Sequence, residues 1–312
     1  MQIKLKDVKF TFNLKSSWEF QALHGIDFEV NQGEYVGIIG QTGSGKTTLI
    51  EHLNALLMPT TGTVEWIYKD EVFDKATKTK KEVVVVTDVI GLKKVRKFKK
   101  VKQIRKRIGV VFQFAEYQLF KATVLEDIIF GPVSYGMDPK EAEEKAKKYI
   151  KLVGLSEEYL KRSPFDLSGG QKRRVALAGI LAMEPDVLVV DEPTAGLDPW
   201  GVKEILDILT HLHESGKTII NVTHDLDHVL ERAKRVIVLK NGKIIKDGQP
   251  YETLNDIAFL EENNLQPPKL LNFVNKLRAK GVNVPKVTSE AELVSWINDY
   301  METKNKKEVS NE

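Results

Sequence analysis

The sequence predicts an α/β fold built on a mostly parallel sheet, and three observations carry that prediction. Short apolar runs read as strands buried on both faces: Tyr35-Val36-Gly37-Ile38-Ile39, Ile108-Gly109-Val110-Val111-Phe112, Val187-Leu188-Val189-Val190 and Thr218 to Val222. Long helical runs separate them, as crossovers between parallel strands require. The first run leads into Gly40-Gln41-Thr42-Gly43-Ser44-Gly45-Lys46-Thr47-Thr48, which satisfies G-x-x-x-x-G-K-[ST] before a helix expected over Thr48 to Leu57 and stopped by Pro59.

Residues 1 to 33 alternate as edge strands do, in Ile3-Lys4-Leu5, Val8 to Phe12 and Ile26 to Val30, so an antiparallel patch precedes the core. Phe12 there is either a core aromatic or a face for a purine base. In the glycine-rich stretch, backbone N–H groups can turn inward around phosphates at the positive end of a helix. Lys46 would reach the β and γ phosphates of a nucleotide, and Thr47 offers its hydroxyl to the Mg²⁺ they carry.

Residues 69 to 107 hold fifteen Lys or Arg against five Asp or Glu, broken by Val83-Val84-Val85-Val86. Two hairpin strands and a basic helix ending at Arg107 are expected, with the insertion proper at about 69–104. Its charge suits a solvated surface better than a lipid or nucleic-acid patch, since such charge runs ordinarily serve solubility. Gln113 follows the strand at 108–112, at the edge where parallel sheets gather ligands. Asp138-Pro139-Lys140-Glu141 opens a helix that Gly154 closes. The stretch from about 121 to 183 has no convincing strand and reads as an inserted helical subdomain. Within it, Leu167-Ser168-Gly169-Gly170-Gln171 makes a second anion-binding helix start or a plain Ser cap.

Val187 to Val190 ends in Asp191-Glu192. Asp191 can hold Mg²⁺ through water or Thr47, and Glu192 can poise or deprotonate an attacking water. Ala195-Gly196-Leu197-Asp198 and a helix over Val202 to Ser215 follow, and His224 sits after the strand Thr218 to Val222. Asn241-Gly242 joins a hairpin. Beyond about 248, a capping box at Ser289 to Glu292 precedes Leu293, Trp296, Ile297, Tyr300 and Met301 on one helix face, a small C-terminal appendage with a disordered tail from about 304. The expected division is therefore 1–248 and 249–312.

The net charge of +3 is too small to argue for nucleic acid, and the absence of cysteine excludes disulfides and thiolate metal sites. No apolar run approaches the ~20 residues that span a bilayer, and no signal-peptide core opens the chain, so a membrane role would be peripheral.

Taken together, residues 40–47, Gln113, Leu167 to Gln171, Asp191 with Glu192, Ala195 to Asp198, and His224 resemble the ordered motif set of ATP-binding-cassette (ABC) ATPases over about residues 1–248. Phe112-Gln113-Phe114-Ala115-Glu116-Tyr117-Gln118-Leu119-Phe120 is similar to the F-Q-x-P-E-x-Q-L-F of energy-coupling factor (ECF) transporter ATPases, which import vitamins and metal ions. Ala115 stands where that pattern has Pro, and Phe114, where the first paralogue tends to have Asn, points to the second. The resemblance implies a P-loop NTPase core of the ABC type with antiparallel and helical subdomains, and ATP and Mg²⁺ as ligands. ATP would be sandwiched between two cassettes, Lys46 and Glu192 of one facing Ser168, Gly169, Gly170 and Gln171 of the other. It also implies Phe12 as the base-stacking aromatic, His224 on the γ-phosphate, Gln113 near that phosphate and the metal, and Asp198 linking the two sites. Expected partners are the second ECF ATPase in a heterodimer, a membrane-embedded coupling subunit and a solute-capturing membrane subunit, with no nucleic acid, at the cytoplasmic face of the cell membrane. Glu116, among Phe114, Tyr117 and Phe120, is expected to receive an Arg from a partner helix. A soluble cassette ATPase acting on nucleic acid or ribosomes is the alternative.

Overall fold

The computed structural model describes the backbone of residues 1–74, 79–91 and 100–309, and side chains over 1–70, 83–91 and 100–303. Parts of the basic insertion, at 75–78 and 92–99, lie outside the described residues.

Two sheets organise the chain. The first is antiparallel, in the order β2-β1-β4-β5, from β1 (Gln2–Phe12), β2 (Phe20–Val30), β4 (Thr61–Asp74) and β5 (Thr79–Ile90). The second has six strands: β10 (Lys243–Gly248), β9 (Arg235–Lys240), β3 (Tyr35–Ile39), β8 (Thr218–Val222), β7 (Val187–Asp191) and β6 (Ile108–Val111). Strands β9, β3, β8, β7 and β6 are parallel, and β10 pairs antiparallel at the edge.

Every residue of β3, β6, β7 and β8 is buried, which explains their mostly apolar sequences, with Asp191, Thr218 and Asn221 as buried polar exceptions. Alternation within them serves two cores. Val36, Ile38, Val187 and Val189 pack toward the antiparallel sheet and Trp66, while Tyr35, Ile39, Leu188 and Val190 pack toward the helices. The helical side holds α3 (Val124–Ser134), α4 (Pro139–Leu152), α5 (Gly169–Leu181) and α6 (Pro199–Glu214). Among the described residues, 121–183 carries no strand. Helix α4 starts at an Asp138 cap as its sequence predicts.

Three local expectations are corrected. The helix after the glycine-rich loop, α1, spans Lys46–Leu53 rather than reaching Leu57, because Ala55 turns to φ 57°. Helix α6 begins at Pro199, three residues early, because Asp198 caps it through the Gly201 N–H. The tail is helical where disorder was expected: α11 spans Glu290–Val309, its Ser289 accepting from the Glu292 N–H and no Gly or Pro interrupting it. The basic hairpin forms as β4 and β5, followed by α2 (Val101–Arg107).

Helices α7 (Leu226–Arg232), α8 (Pro250–Leu254), α9 (Ile257–Glu262) and α10 (Lys269–Ala279) complete the chain with α11. Leu254, Leu260, Leu271, Val274 and Leu293 belong to the same continuous core as the parallel sheet. The apolar face expected on α11 is only half covered: Leu293 is buried, whereas Tyr300 and Met301 stay exposed and Tyr300 stacks on Trp296.

Candidate functional site: a phosphate-binding cavity at the sheet edge

Strands β3, β6, β7 and β8 end at one edge, and a cavity of about 1040 Å³ opens there. Its floor is the loop from Gly40 to Thr48. Gly40 is required because a Cβ there would strike the Leu239 carbonyl and approach the Ser44 hydroxyl to 2.8 Å. Gly45 holds φ 101° to cap α1, whose N-terminus then points into the cavity. The β9–β10 turn braces the loop from behind: the Gly242 N–H donates to the Ser44 carbonyl at 2.9 Å.

Gln41, Thr42, Gly43, Gly45, Lys46, Thr47 and Thr48 line the cavity with Gln113, Asp191, Glu192 and His224, so the sheet unites four motifs separated by up to 184 residues of sequence (224 − 40). Ser44 is buried, and among the described residues its hydroxyl has no hydrogen-bond partner. It does not line the cavity, so the cradle for a phosphate is the glycine-rich loop backbone, the α1 N-terminus and Lys46.

Lys46 Nζ bonds the carbonyls of Gly40 and Gln41 at 2.7 and 2.9 Å. Burial pushes its ammonium below the ordinary lysine range, opposed by the carboxylates of Glu192 and Asp191. Asp191 ends β7 nearly buried, and Thr47 Oγ1 donates to its Oδ2 at 3.4 Å. Burial, then the neighbouring Glu192 charge, pushes the Asp191 carboxyl up, against the Thr47 bond and Lys46. Hydroxyl, carboxylate and the Gln113 amide form the hard oxygen set that suits Mg²⁺, which takes one or two protein carboxylates and completes its shell with water and phosphate.

Glu192, one residue on, adopts φ 49° and anchors its N–H on the Val222 carbonyl at 2.8 Å. This kink turns its side chain to β8, where Thr223 Oγ1 donates to Oε2 at 3.3 Å and His224 Nδ1 lies 2.9 Å from the same oxygen. His224 is 77% exposed and faces the cavity, so it reaches both Glu192 and a ligand.

Other expected residues sit elsewhere. Ser168, Gly169, Gly170 and Gln171 do not line the cavity; Ser168 and Gln171 form a reciprocal capping box on α5, and Asp198 caps α6. Phe12 is also off the lining, its ring packed edge-on against Phe10 at 4.7 Å. Phe20, its partner across β1 and β2, lines the cavity instead and is 62% exposed. Glu116 is not an open acceptor for a partner's Arg: the protein's own Arg173 binds both its oxygens, at 2.9 and 3.2 Å. Sequence reasoning also missed Asn264, Leu265 and Gln266, a turn between α9 and α10 that lines the cavity and takes a hydrogen bond from Gln41 Nε2 on the Asn264 carbonyl at 3.2 Å. Only the following Pro267-Pro268 marked that turn.

A family model described as ABC transporter matches residues 23–195. An energy-coupling factor transporter ATP-binding protein, EcfA2, of Mycoplasmopsis synoviae is 99% identical over 312 residues, covering 100% of both chains. The chain belongs to this family. The EcfA2 protein of Mycoplasma mobile is 54% identical over 311 residues, again covering 100% of each, so the ECF resemblance spans the C-terminal helices as well as the ABC cassette. Among solved structures, cbiO1 from Clostridium perfringens, part of the ABC transporter complex cbiONQ, is 34% identical, with a TM-score of 0.65 over 88% of this chain and 98% of that one. The ECF assignment agrees with the second-paralogue reading of Phe114, and the ABC cassette accounts for the fold.

Proposed function

We propose that the edge of the parallel sheet is one half of an ATP-hydrolysing site and that this ECF-type ABC ATPase drives uptake of a vitamin or metal ion through a membrane partner. The observation that carries the reading is the meeting of Lys46, Asp191, Glu192 and His224 in one cavity floored by the glycine-rich loop and the start of α1. The P-loop N–H groups and Lys46 hold the β and γ phosphates. Thr47, Asp191 and Gln113 would hold Mg²⁺. The chemistry a bound Mg²⁺ supplies is neutralisation of charge on the β and γ oxygens.

Glu192 Oε2 takes a proton from water as the water oxygen bonds to the γ-phosphorus and the bond from that phosphorus to the β,γ-bridging oxygen breaks, giving ADP and phosphate. Thr223 and His224 hold that carboxylate in place, and His224 is positioned to donate to the γ-phosphate. The purine lies against Phe20, with Phe12 behind it.

Ser168, Gly169, Gly170 and Gln171, with no place on this chain's own cavity, are assigned to the nucleotide of a second cassette, and Asp198 to the boundary between the sites. The second ECF ATPase is the proposed mate, because one chain supplies only half of each sandwiched site. Phe114, Tyr117 and Phe120 form an exposed aromatic surface beside Gln113. It supports docking of a membrane-embedded coupling subunit at the cytoplasmic face, with the solute held by another membrane subunit. Among the described residues, no helix is long and apolar enough to cross a membrane.

The test is the ATPase rate of the purified chain alone and after assembly with the second ATPase and the membrane subunits in vesicles. Turnover and solute uptake should appear on assembly. Full turnover by the chain alone, unaltered by its partners, would replace the heterodimer with a self-sufficient enzyme.

A further inference from the structure

Arg173 stands on α5, three and four residues after Gly170 and Gly169 and so on the same helix face. Its side chain is only 8% exposed, and three bonds use its fork of donors. Nε donates to Glu116 Oε2 at 3.2 Å, Nη2 donates to Glu116 Oε1 at 2.9 Å, and Nη1 donates to the Ala195 carbonyl. Glu116 lies in the 3-10 turn Ala115–Gln118, three residues after Gln113. Ala195 lies between Glu192 and Asp198, in a loop whose Leu197 also packs where a Gly170 side chain would begin, 3.6 Å from its Cβ position.

One guanidinium therefore hydrogen-bonds together three segments that otherwise touch through apolar packing: the turn after Gln113, the helix behind Ser168 to Gln171, and the loop from Glu192 to Asp198. We propose that Arg173 is a positioning residue that makes these segments move together, so that displacement of the aromatic surface at 114–120 is delivered to Glu192 and to the Ser168–Gln171 helix at once. The inference rests on the hydrolytic role given to Glu192.

Two features support a link rather than a plain core bond. Burial alone would push the Glu116 carboxyl up, yet the Arg173 bonds hold it below the ordinary carboxylate range, so the pair stays ionised at neutral pH. A narrow space bounded by Phe112, Phe114, Glu192 and Pro193 also lies beside the guanidinium. Beside that space Arg173 supplies the polar bonds between the segments, while Ala115 packs the turn into the core it shares with α5.

Lysine keeps the charge but not the three-way fork. In the complex assembled in vesicles, Arg173→Lys should leave ATP affinity within about twofold while lowering kcat by about tenfold or more and reducing solute moved per ATP hydrolysed. Adding Glu116→Gln to Arg173→Met should change kcat by less than about twofold, since the bond it would break is already gone there. Arg173→Met serves as the second variant if lysine alters assembly. Unchanged kcat and unchanged uptake per ATP in both Arg173 variants, beside an active wild type and an inactive Glu192→Gln complex, overturn the proposal alone. Multiplicative losses in the double variant, or ATP affinity falling in step with kcat, also overturn it. A Glu192→Gln complex that hydrolyses like wild type overturns the hydrolytic reading and this proposal with it.

Discussion

His52 gives the nucleotide-binding helix a pH dependence that can be worked out in advance. It is fully buried on α1, one turn after Thr48, with Nδ1 2.7 Å from the Thr48 carbonyl and its ring edge-on to Phe10 at 4.8 Å. Burial lowers its pKa from 6.5 to about 4, against the opposing pull of the Thr48 carbonyl. The folded chain therefore keeps His52 neutral while the unfolded chain protonates it, and stability falls as pH drops from about 6.5 toward 4. Linkage gives a loss of about 2 kcal/mol at pH 5 and roughly 3 kcal/mol once both states are fully titrated. Urea unfolding of wild type and His52→Phe at pH 7 and pH 5 isolates this residue, because other titrating groups are common to both. The wild type should lose about 2 kcal/mol more than the variant over that interval. Parallel losses would refute the buried, neutral imidazole.

Two further substitutions separate stability from chemistry. Asp191→Asn should raise the melting temperature, since burial and Glu192 both oppose the anion, while lowering turnover in the assembled complex by about 10- to 100-fold. The stability gain should shrink as pH falls through the raised Asp191 pKa toward 3.8, because the folded wild type then carries a neutral acid too. Equal melting temperatures at neutral pH would contradict this account. Phe20→Ala should raise the KM for ATP by at least about fivefold with kcat nearly unchanged, because stacking a base on an aromatic contributes about 1–3 kcal/mol. Phe12→Ala should instead lower chemical stability toward urea more than it raises KM. The reverse ranking of KM effects would return the base to Phe12.

The motif residues were legible because their chemistry is local in sequence. A loop must be glycine-rich to turn inward at Gly40 and Gly45, and a carboxylate closing an apolar strand, as Asp191 closes β7, marks the sheet edge where the cavity opens. What escaped depends on register and on long-range pairing. Phe20 becomes the cavity aromatic only because β1 and β2 place it opposite Phe12, whose ring Phe10 already engages. Glu116 reads as an open acid until α5 brings Arg173, 57 residues later, onto both its oxygens. The early end of α1 rests on the backbone of Ala55, a residue type that ordinarily favours helix. Asn264 to Gln266 carry no motif and reach the cavity only through the packing of α9 and α10.

The central claim is that Glu192 performs the proton transfer while the P-loop and Lys46 hold the phosphates. Single-turnover hydrolysis and equilibrium ATP binding, measured on the assembled complex with Glu192→Gln and with Lys46→Ala, test it most directly. The account predicts that Glu192→Gln binds ATP like wild type and loses at least about a hundredfold in the hydrolytic rate, whereas Lys46→Ala loses binding itself. Hydrolysis at the wild-type rate by Glu192→Gln, with binding intact, would contradict it.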